Sequence, residues 1–254
     1  MKAPAVQAAA SAVTVAAMAA MPCCPRGGVG RRLLSSLVVG GGCVASTTSA
    51  TRHWGPHRAL GAAGATTALT AAVEHVGTVT GRPFGRYRYT AALGPQVAGV
   101  PVQVPLAWFA MALPARETAH AALGSRSNRV TRILAGAAAL TAWDLFLDPQ
   151  MVAEGYWGWA RRGTCSRRSS YRGIPISNFV GWFVTGLGVM AVLELMLPPA
   201  EPAPDLVAEY GVMAAMETVG FATFLGDRTV AIAGGVAMAP VAALAAARLL
   251  GRRL

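Results

Sequence analysis

The sequence predicts an all-α protein, a polytopic transmembrane bundle of about seven or eight helices, and three observations point to this class. Of the 254 residues, 54% are hydrophobic and only 13% are charged, whereas a soluble domain carries roughly 25% charged residues. The mean hydropathy is +0.46. The apolar residues also gather in runs, several of them near the ~20 residues that a helix needs to span a bilayer.

The charge of the chain fits a membrane protein better than a nucleic-acid-binding protein. The formal net charge is +11, from 22 lysines and arginines against 11 acids. The arginines stand mostly between the apolar runs, where they would meet anionic headgroups and set the topology. We therefore expect membrane lipids as partners, no nucleic acid, and a multi-pass location in the cell membrane.

The predicted spans follow one another with short polar breaks. Residues 3–21 are mostly alanine and fit a weak first span, a signal-like segment or a start codon assigned too early. We divide the chain into a weakly determined N-terminal segment, 1–58, with one or two spans, and a transmembrane catalytic domain, 59–254. The other predicted spans are 33–50, 60–79, 100–113, 130–147, 174–197, 206–225 and 230–250.

The stretch TAWDLFLDPQMVAEGYWGW, residues 141–159, combines acids and aromatic residues at the end of an apolar run. Asp144 and Asp148 are four residues apart and therefore share one face of a helix. We expect Pro149 to end that helix, because its ring cannot continue the hydrogen-bond ladder. Carboxylates at the mouth of an apolar segment are costly, so this stretch is a candidate functional site.

If residues 3–21 form the first span, polar side chains from three spans meet at one face of the membrane. The third span ends there with Glu74 and His75, and the fifth ends there with the two aspartates. The sixth span starts there, with Asn178 near its beginning. We therefore expect Glu74, Asp148 and Asn178 to converge on one cavity.

The sequence offers no evident ligand set for a metal or a cofactor. The cysteines form no CxxC pair and no zinc-type spacing, so we expect them to be unpaired. No GxGxxG motif follows a predicted strand, and no histidines stand at metal-binding spacing. We expect chemistry that uses neither metal nor cofactor. The four cysteines are Cys23, Cys24, Cys43 and Cys165.

Four runs of the chain resemble the carotenoid-synthesis membrane proteins, which include carotenoid 1′,2′-hydratases and bisanhydrobacterioruberin-type hydratases. The resemblance covers roughly residues 60–225, and the order of the runs and the DLFLDP-to-GYW stretch carry it. It implies that water is added to a terminal isoprenoid double bond without redox chemistry. The runs are VEHVGTVTGRPFGRYRYTAALGP (73–95), VPVQVPLAW (100–108), AWDLFLDPQMVAEGYWGW (142–159) and GIPISNFVGWF (173–183).

The acids of these runs suit that reaction. Protonation of a trisubstituted alkene gives a tertiary carbocation, which water captures as a tertiary alcohol. Two carboxyls one helical turn apart cannot both ionise easily, so one can act as general acid while its neighbour takes a proton from the attacking water. We expect catalysis from Asp148, Asp144 or Glu74, and we favour Asp148 because the loop after Pro149 can fold over it.

Aromatic and polar neighbours of these acids are the predicted substrate-binding residues. Aromatic faces stabilise a nearby cation by ~0.5–2 kcal/mol each. The carotenoid should enter from the lipid phase, through a gap between helices, into a mostly apolar cavity with acids at its polar end. Other enzymes of the pathway are possible partners. The predicted binding residues are His75, Trp143, Phe146, Tyr156, Trp157 and Asn178.

Structural roles for the same residues stay open at this point. The aspartates could cap helices or pair with loop arginines, Trp157 could belong to an interfacial aromatic belt, and Asn178 could bridge helices. Glu217, in the middle of a span, could be a functional acid or a helix contact.

Two other functions also stay open. A carotenoid cyclase or isomerase would start with the same protonation, but its product would keep the mass of the substrate, whereas hydration adds the mass of water. A non-catalytic carotenoid-binding membrane protein would need no proton donor.

Overall fold

The computed structural model describes residues 3–160 and 170–251, and α-helices account for most of them. This confirms the predicted all-α class. In the described residues the helices are α1 (Ala3–Ala20), α2 (Val29–Trp54), α3 (Pro56–Thr80), α4 (Gln103–Leu123), α5 (Arg129–Ala153), α6 (Ile176–Met196), α7 (Pro204–Thr223) and α8 (Arg228–Gly251).

Five helical segments of the described residues are long and apolar enough to cross a membrane, judged by length and composition. Residues 3–21, which the sequence left open, form α1 and the start of a short 3₁₀ turn, and α1 packs along α2. The predicted division at residue 58 stays a prediction. The five segments are Ala3–Cys23, Val29–Trp54, Arg129–Ala153, Ile176–Met196 and Arg228–Gly251.

Local sequence signals account for several helix ends. Pro56 and Pro204 stand at the start of α3 and α7, where the missing N–H of proline does no harm. Asn128 caps α5: its side chain accepts a hydrogen bond from the Thr131 amide at 2.9 Å, and the Thr131 hydroxyl accepts one from the Asn128 amide. Gly81 ends α3 with a φ of +77°, a conformation that glycine adopts without strain.

Successive helices run in opposite directions, so the bundle has two distinct ends. Glu74 near the end of α3 contacts Trp108 in the second turn of α4. Asp148 near the end of α5 contacts Asn178 at the start of α6. We call this the site end. At the opposite end, here the far end, Arg116 of α4 contacts Glu194 of α6.

Short strands tie the loops of the site end together. β1 (Tyr87–Tyr89) and β4 (Trp157–Trp159) pair antiparallel, with Tyr87 opposite Trp159 and Tyr89 opposite Trp157. This pairing joins the loop after α3 to the loop after α5 and so covers the site end. The other pairs are β2 (Gln96–Val97) with β3 (Val100–Pro101), and β5 (Ser170–Tyr171) with β6 (Ile174–Pro175).

The prediction that Pro149 ends its helix is wrong. α5 continues through Pro149 to Ala153. Because Pro149 has no N–H, the carbonyl of Leu145, four residues earlier, loses its helical donor. The hydroxyl of Tyr171 in β5 donates to that carbonyl at 3.2 Å. A partner from another element therefore replaces the lost bond, and the helix passes the proline.

The far end holds a buried ionic cluster that joins α4, α5 and α6. The carboxylate of Glu194 accepts from Arg116 and Arg132 at 3.0 Å each and lies 2.8 Å from His120 Nε2. Arg116 also contacts Glu117, whose other oxygen accepts from the Ala203 amide at 3.0 Å. These charges satisfy one another far from the predicted site, so we read the cluster as structural.

Candidate functional site

A cavity of about 480 Å³ lies at the site end, among helices α1 to α7 and the covering loops. Its walls are mainly apolar and aromatic, and two acids from different helices face into it. These acids are Glu74 of α3 and Glu217 of α7. The aromatic wall consists of Tyr89, Trp108, Trp143, Tyr156, Trp157, Trp182 and Phe224.

Glu74 is held by three hydrogen-bond donors. Its Oε1 accepts from Trp108 Nε1 at 3.0 Å, and its Oε2 accepts from the Tyr89 hydroxyl at 2.7 Å and from the Tyr87 hydroxyl. An ionised carboxylate has only acceptor sites to offer. The three donors therefore match the carboxylate form of Glu74 and fix its orientation at the edge of the cavity.

The two tyrosines that hold Glu74 stand outside the helices, in β1. Burial, followed by the nearby Glu74 charge, raises the pKa of both Tyr87 and Tyr89 above the usual phenol value. Both hydroxyls therefore keep their protons at physiological pH and stay donors. Tyr87 and Tyr89 are two residues apart, so a strand projects both rings to the same side.

Asp144 and Asp148 form a second acidic group, joined by Asn178. The Asn178 side-chain amide donates to Asp144 Oδ2 at 2.9 Å and to Asp148 Oδ2, and all three residues are buried. Neither aspartate forms an ion pair with any residue that the structure describes. Two carboxyls this close without a cation are stable when they share one proton.

Glu74, Asp148 and Asn178 all lie at the site end, and their convergence on one cavity stays a prediction. Glu74 lines the cavity, whereas Asp144, Asp148 and Asn178 do not. The reason is the loop after α5, which turns at Gly155 with a φ of +72° and lays Trp157 over Asp148. Trp157 Nε1 donates to Asp148 Oδ1 at 2.9 Å, so Asp148 contacts the cavity only through that indole.

Two predicted binding residues do not reach the site. His75 is exposed and bonds through Nδ1 to the Ala98 carbonyl at 3.0 Å, because a helix turns about 100° per residue and Glu74 takes the inward direction. Phe146 is fully buried against Phe221, with ring centroids 5.6 Å apart, and against Gly234. A substrate-binding role for either residue therefore stays a prediction without support from its position.

The remaining predicted binding residues lie at the cavity wall. Trp143, Tyr156 and Trp157 all line it. The Tyr156 hydroxyl and the Trp143 Nε1 are buried and have no hydrogen-bond partner within 3–160 and 170–251. Buried polar atoms without partners are rare in folded proteins, so these two side chains of the wall hold donors that no described residue satisfies.

Comparison with known proteins identifies the family to which this chain belongs. The family model described as "Carotenoid biosynthesis protein" matches residues 33–250. This chain belongs to the carotenoid biosynthesis protein family. A relative, the bisanhydrobacterioruberin hydratase of Haloarcula japonica, is 34% identical over 116 residues, which cover 45% of this chain and 37% of that protein. No solved structure gives a significant match.

Membership of the carotenoid biosynthesis family confirms the resemblance that the four sequence runs indicated. Together with the apolar helices, it identifies the chain as a membrane protein of this family. Cys23, Cys24 and Cys43 are free thiols, and Cys165 lies outside the described residues.

Several site residues escaped the sequence-based prediction although they stand in the runs typical of the family. Trp108 and Trp182 stack with ring centroids 3.8 Å apart beneath the cavity, and Tyr87 and Tyr89 bind Glu74. The alternation of tyrosines in FGRYRY was a usable signal, since it puts both rings on one face of a strand. Glu217 had its own signal, as an acid inside an apolar span.

Proposed function

We propose that this protein adds water to a terminal isoprenoid double bond of an acyclic or partly acyclic carotenoid, in the cell membrane and without a metal or cofactor. The observation that carries the proposal is a mostly apolar, aromatic-walled cavity into which two carboxyl side chains project. The family and the hydratase named among its relatives support the same reaction class.

The surroundings of the two cavity acids differ in the way that acid–base catalysis requires. Glu217 is 8% exposed and has no hydrogen bond or ion pair with the residues that the structure describes. An ionised carboxylate without a partner is costly in an apolar site, so Glu217 suits the neutral, proton-carrying form. Glu74, with three donors, suits the carboxylate form. Such opposed environments are typical of an acid and a base that work together.

The two acids can therefore divide the reaction between them. Glu217 gives its proton to the less substituted alkene carbon, whose π electrons form the new C–H bond and leave a tertiary carbocation. The Glu74 carboxylate faces that cation and takes a proton from the water that attacks it. The product is a tertiary alcohol, and the overall change is the addition of one water. A proton passing from Glu74 back to Glu217 through water restores the site.

The aromatic wall stabilises the cation. Trp108, Trp143 and Trp182 line the cavity, and the rings of Trp143 and Trp182 are nearly perpendicular with centroids 6.0 Å apart. Each ring face near a desolvated cation contributes about 0.5–2 kcal/mol. Because these rings are apolar and do not accept a proton, they can contact the alkene without taking the proton that Glu217 donates.

The Asp144–Asp148–Asn178 group contacts the cavity wall on the side that faces away from the cavity. Asp148, the donor that the sequence favoured, holds Trp157 by its indole nitrogen. This contact fits a positioning role, in which the aspartate fixes the plane of a ring that lines the cavity. Direct proton donation by Asp148 stays a prediction that a variant can decide.

Expression in a host that accumulates acyclic carotenoids tests the proposal. Pigment extracted from cells with the wild-type protein should gain the mass of one water for each modified end, and this gain should disappear in Glu217→Gln. A product of unchanged mass with a ring at its end would identify a cyclase instead. Pigment that stays unmodified while the protein is present in the membrane would contradict any catalytic function on that carotenoid.

A further inference from the structure

A second cavity of about 410 Å³ adjoins the first and extends towards the far end. The two cavities share six lining residues from α1, α2, α4, α5 and α7. The two cavities are therefore adjacent along the inside of the bundle, and we refer to them together as the joined cavities. The shared residues are Met18, Val38, Val39, Ala107, Trp143 and Met213.

The joined cavities run through most of the thickness of the bundle. On α7 their lining extends from Asp205 to Phe224 just beyond its last turn. At a rise of 1.5 Å per residue, this stretch is roughly 28 Å long, close to the ~30 Å thickness of the hydrocarbon core of a bilayer. A long, straight, apolar molecule fits this space far better than a compact one.

The joined cavities open sideways between α1 and α7. Val212, Val219 and Phe224 line them from α7 and its end, yet 41%, 55% and 65% of their surfaces are exposed. In the described residues, hydrogen bonds between α1 and α7 occur at the far end, from Gln7 to Asp205 at 2.5 Å and from Ser11 to Glu209 at 2.9 Å. Polar contacts therefore join α1 and α7 at the far end, and the rest of the seam between these two helices is apolar.

We propose that the second cavity binds the polyene chain of the carotenoid whose end group lies between Glu74 and Glu217, and that this chain enters from the lipid through the α1–α7 seam. The identity of the ligand rests on the proposed function. A conjugated chain is stiff and cannot fold back into the first cavity, so it must continue in line past Ala107 and Trp143. The enzyme would accordingly select long acyclic polyenes.

A side chain inserted where the cavities meet tests this proposal. Ala107→Phe and Val39→Phe each add bulk at the junction from a different helix. Ala243→Phe, on the exposed side of α8 and away from both cavities, is the matched control. Each protein is purified in mild detergent from membranes that contain an acyclic carotenoid. The moles of pigment retained per mole of folded protein are measured, and folding is checked by thermal unfolding.

We expect the wild type and Ala243→Phe to retain pigment and both junction variants to retain at least about tenfold less. Retention at the wild-type level in both folded junction variants, or a wild type that retains no pigment, would overturn the proposal. The readout requires no turnover. A wild type that retains pigment without hydrating it would therefore contradict the hydratase function. Pigment retention by Ala107→Phe and Val39→Phe would still decide whether the second cavity binds the chain.

Discussion

The indole nitrogen of Trp157 donates a hydrogen bond to Oδ1 of Asp148 at 2.9 Å, and this bond links a buried acidic group to the wall of the cavity. It also connects two parts of the chain that the sequence shows separately, the end of an apolar helix and the strand that follows it. The four candidate catalytic acids thus fall into two sets: Glu74 and Glu217 face the cavity, and Asp144 and Asp148 lie behind its wall.

Replacing Glu217 by glutamine should abolish most of the hydration. The change keeps the size of the side chain but removes the transferable proton, and general acid catalysis is typically worth about 10²–10⁴-fold. Hydrated pigment per molecule of membrane protein should fall by that factor, with protein abundance unchanged. Glu201→Gln, at an exposed position before α7, is the control. Near-normal conversion in Glu217→Gln would remove this residue from the mechanism.

Replacing Glu74 by glutamine should reduce both activity and stability. In glutamine only the carbonyl oxygen accepts hydrogen bonds, because the other terminal atom is an NH₂ donor. At least one of the buried Tyr87, Tyr89 and Trp108 donors therefore loses its partner. Such a loss costs about 1–3 kcal/mol. Membrane abundance and conversion per molecule are measured separately, beside Tyr89→Phe, which removes one donor and leaves the carboxylate. Full activity per molecule in Glu74→Gln would show that Glu74 has a structural role alone.

Asp148→Asn separates proton donation from positioning. Asparagine keeps an oxygen that can accept from Trp157, so a positioning role predicts a loss of conversion of less than about tenfold, matched by Trp157→Phe. A donor role predicts a loss of about 10²–10⁴-fold in Asp148→Asn, well beyond that of Trp157→Phe. Asp144→Asn is measured beside it, because the two carboxyls share Asn178. Pigment mass per membrane-bound protein is the readout for all three.

The fold was predictable because it depends on local properties of the sequence. Apolar runs of membrane-spanning length fix the helices, and their alternation in direction brings Glu74, Asp148 and Asn178 to the same end. Which side chains enter the cavity was not predictable in the same way. Trp157 covers Asp148 because β4 pairs with β1, and this pairing joins residues about 70 positions apart along the chain.

The error at Pro149 has a similar physical origin. From the local sequence, proline ends a helix, because it removes one hydrogen bond and crowds the preceding turn. The compensating donor is Tyr171, 26 residues later and in a different element. The local rule fails here because it counts the Leu145 carbonyl as unsatisfied, whereas the Tyr171 hydroxyl donates to it from another element.

That compensation can be measured with a double-mutant cycle. Burial raises the pKa of Tyr171 to about 12, so its hydroxyl stays a donor. Tyr171→Phe should lower the free energy of unfolding by about 0.5–1.5 kcal/mol. In a Pro149→Ala background, where the restored N–H supplies Leu145, the same change should cost much less. Thermal unfolding of the four proteins in detergent gives the coupling; equal effects in both backgrounds would show that Tyr171 does not compensate for the proline.

The ionic cluster at the far end should govern stability and leave the chemistry intact. Glu194→Leu removes the carboxylate that Arg116, Arg132 and His120 share, and it strands buried positive charge. Breaking a buried ion pair on one side typically costs about 3–5 kcal/mol, enough to lower membrane abundance severalfold or more. Conversion per remaining molecule should stay near the wild-type value, because the cluster lies at the end opposite to Glu74 and Glu217.

A surface ion pair provides the matched comparison for Glu194→Leu. Arg172 contacts Asp227, and 43% of the Arg172 side chain is exposed. Exposed pairs contribute about 0–1 kcal/mol, so Arg172→Gln should leave abundance almost unchanged. If Glu194→Leu instead keeps normal abundance and loses conversion per molecule, the far-end cluster is coupled to catalysis. Its purely structural assignment would then be wrong.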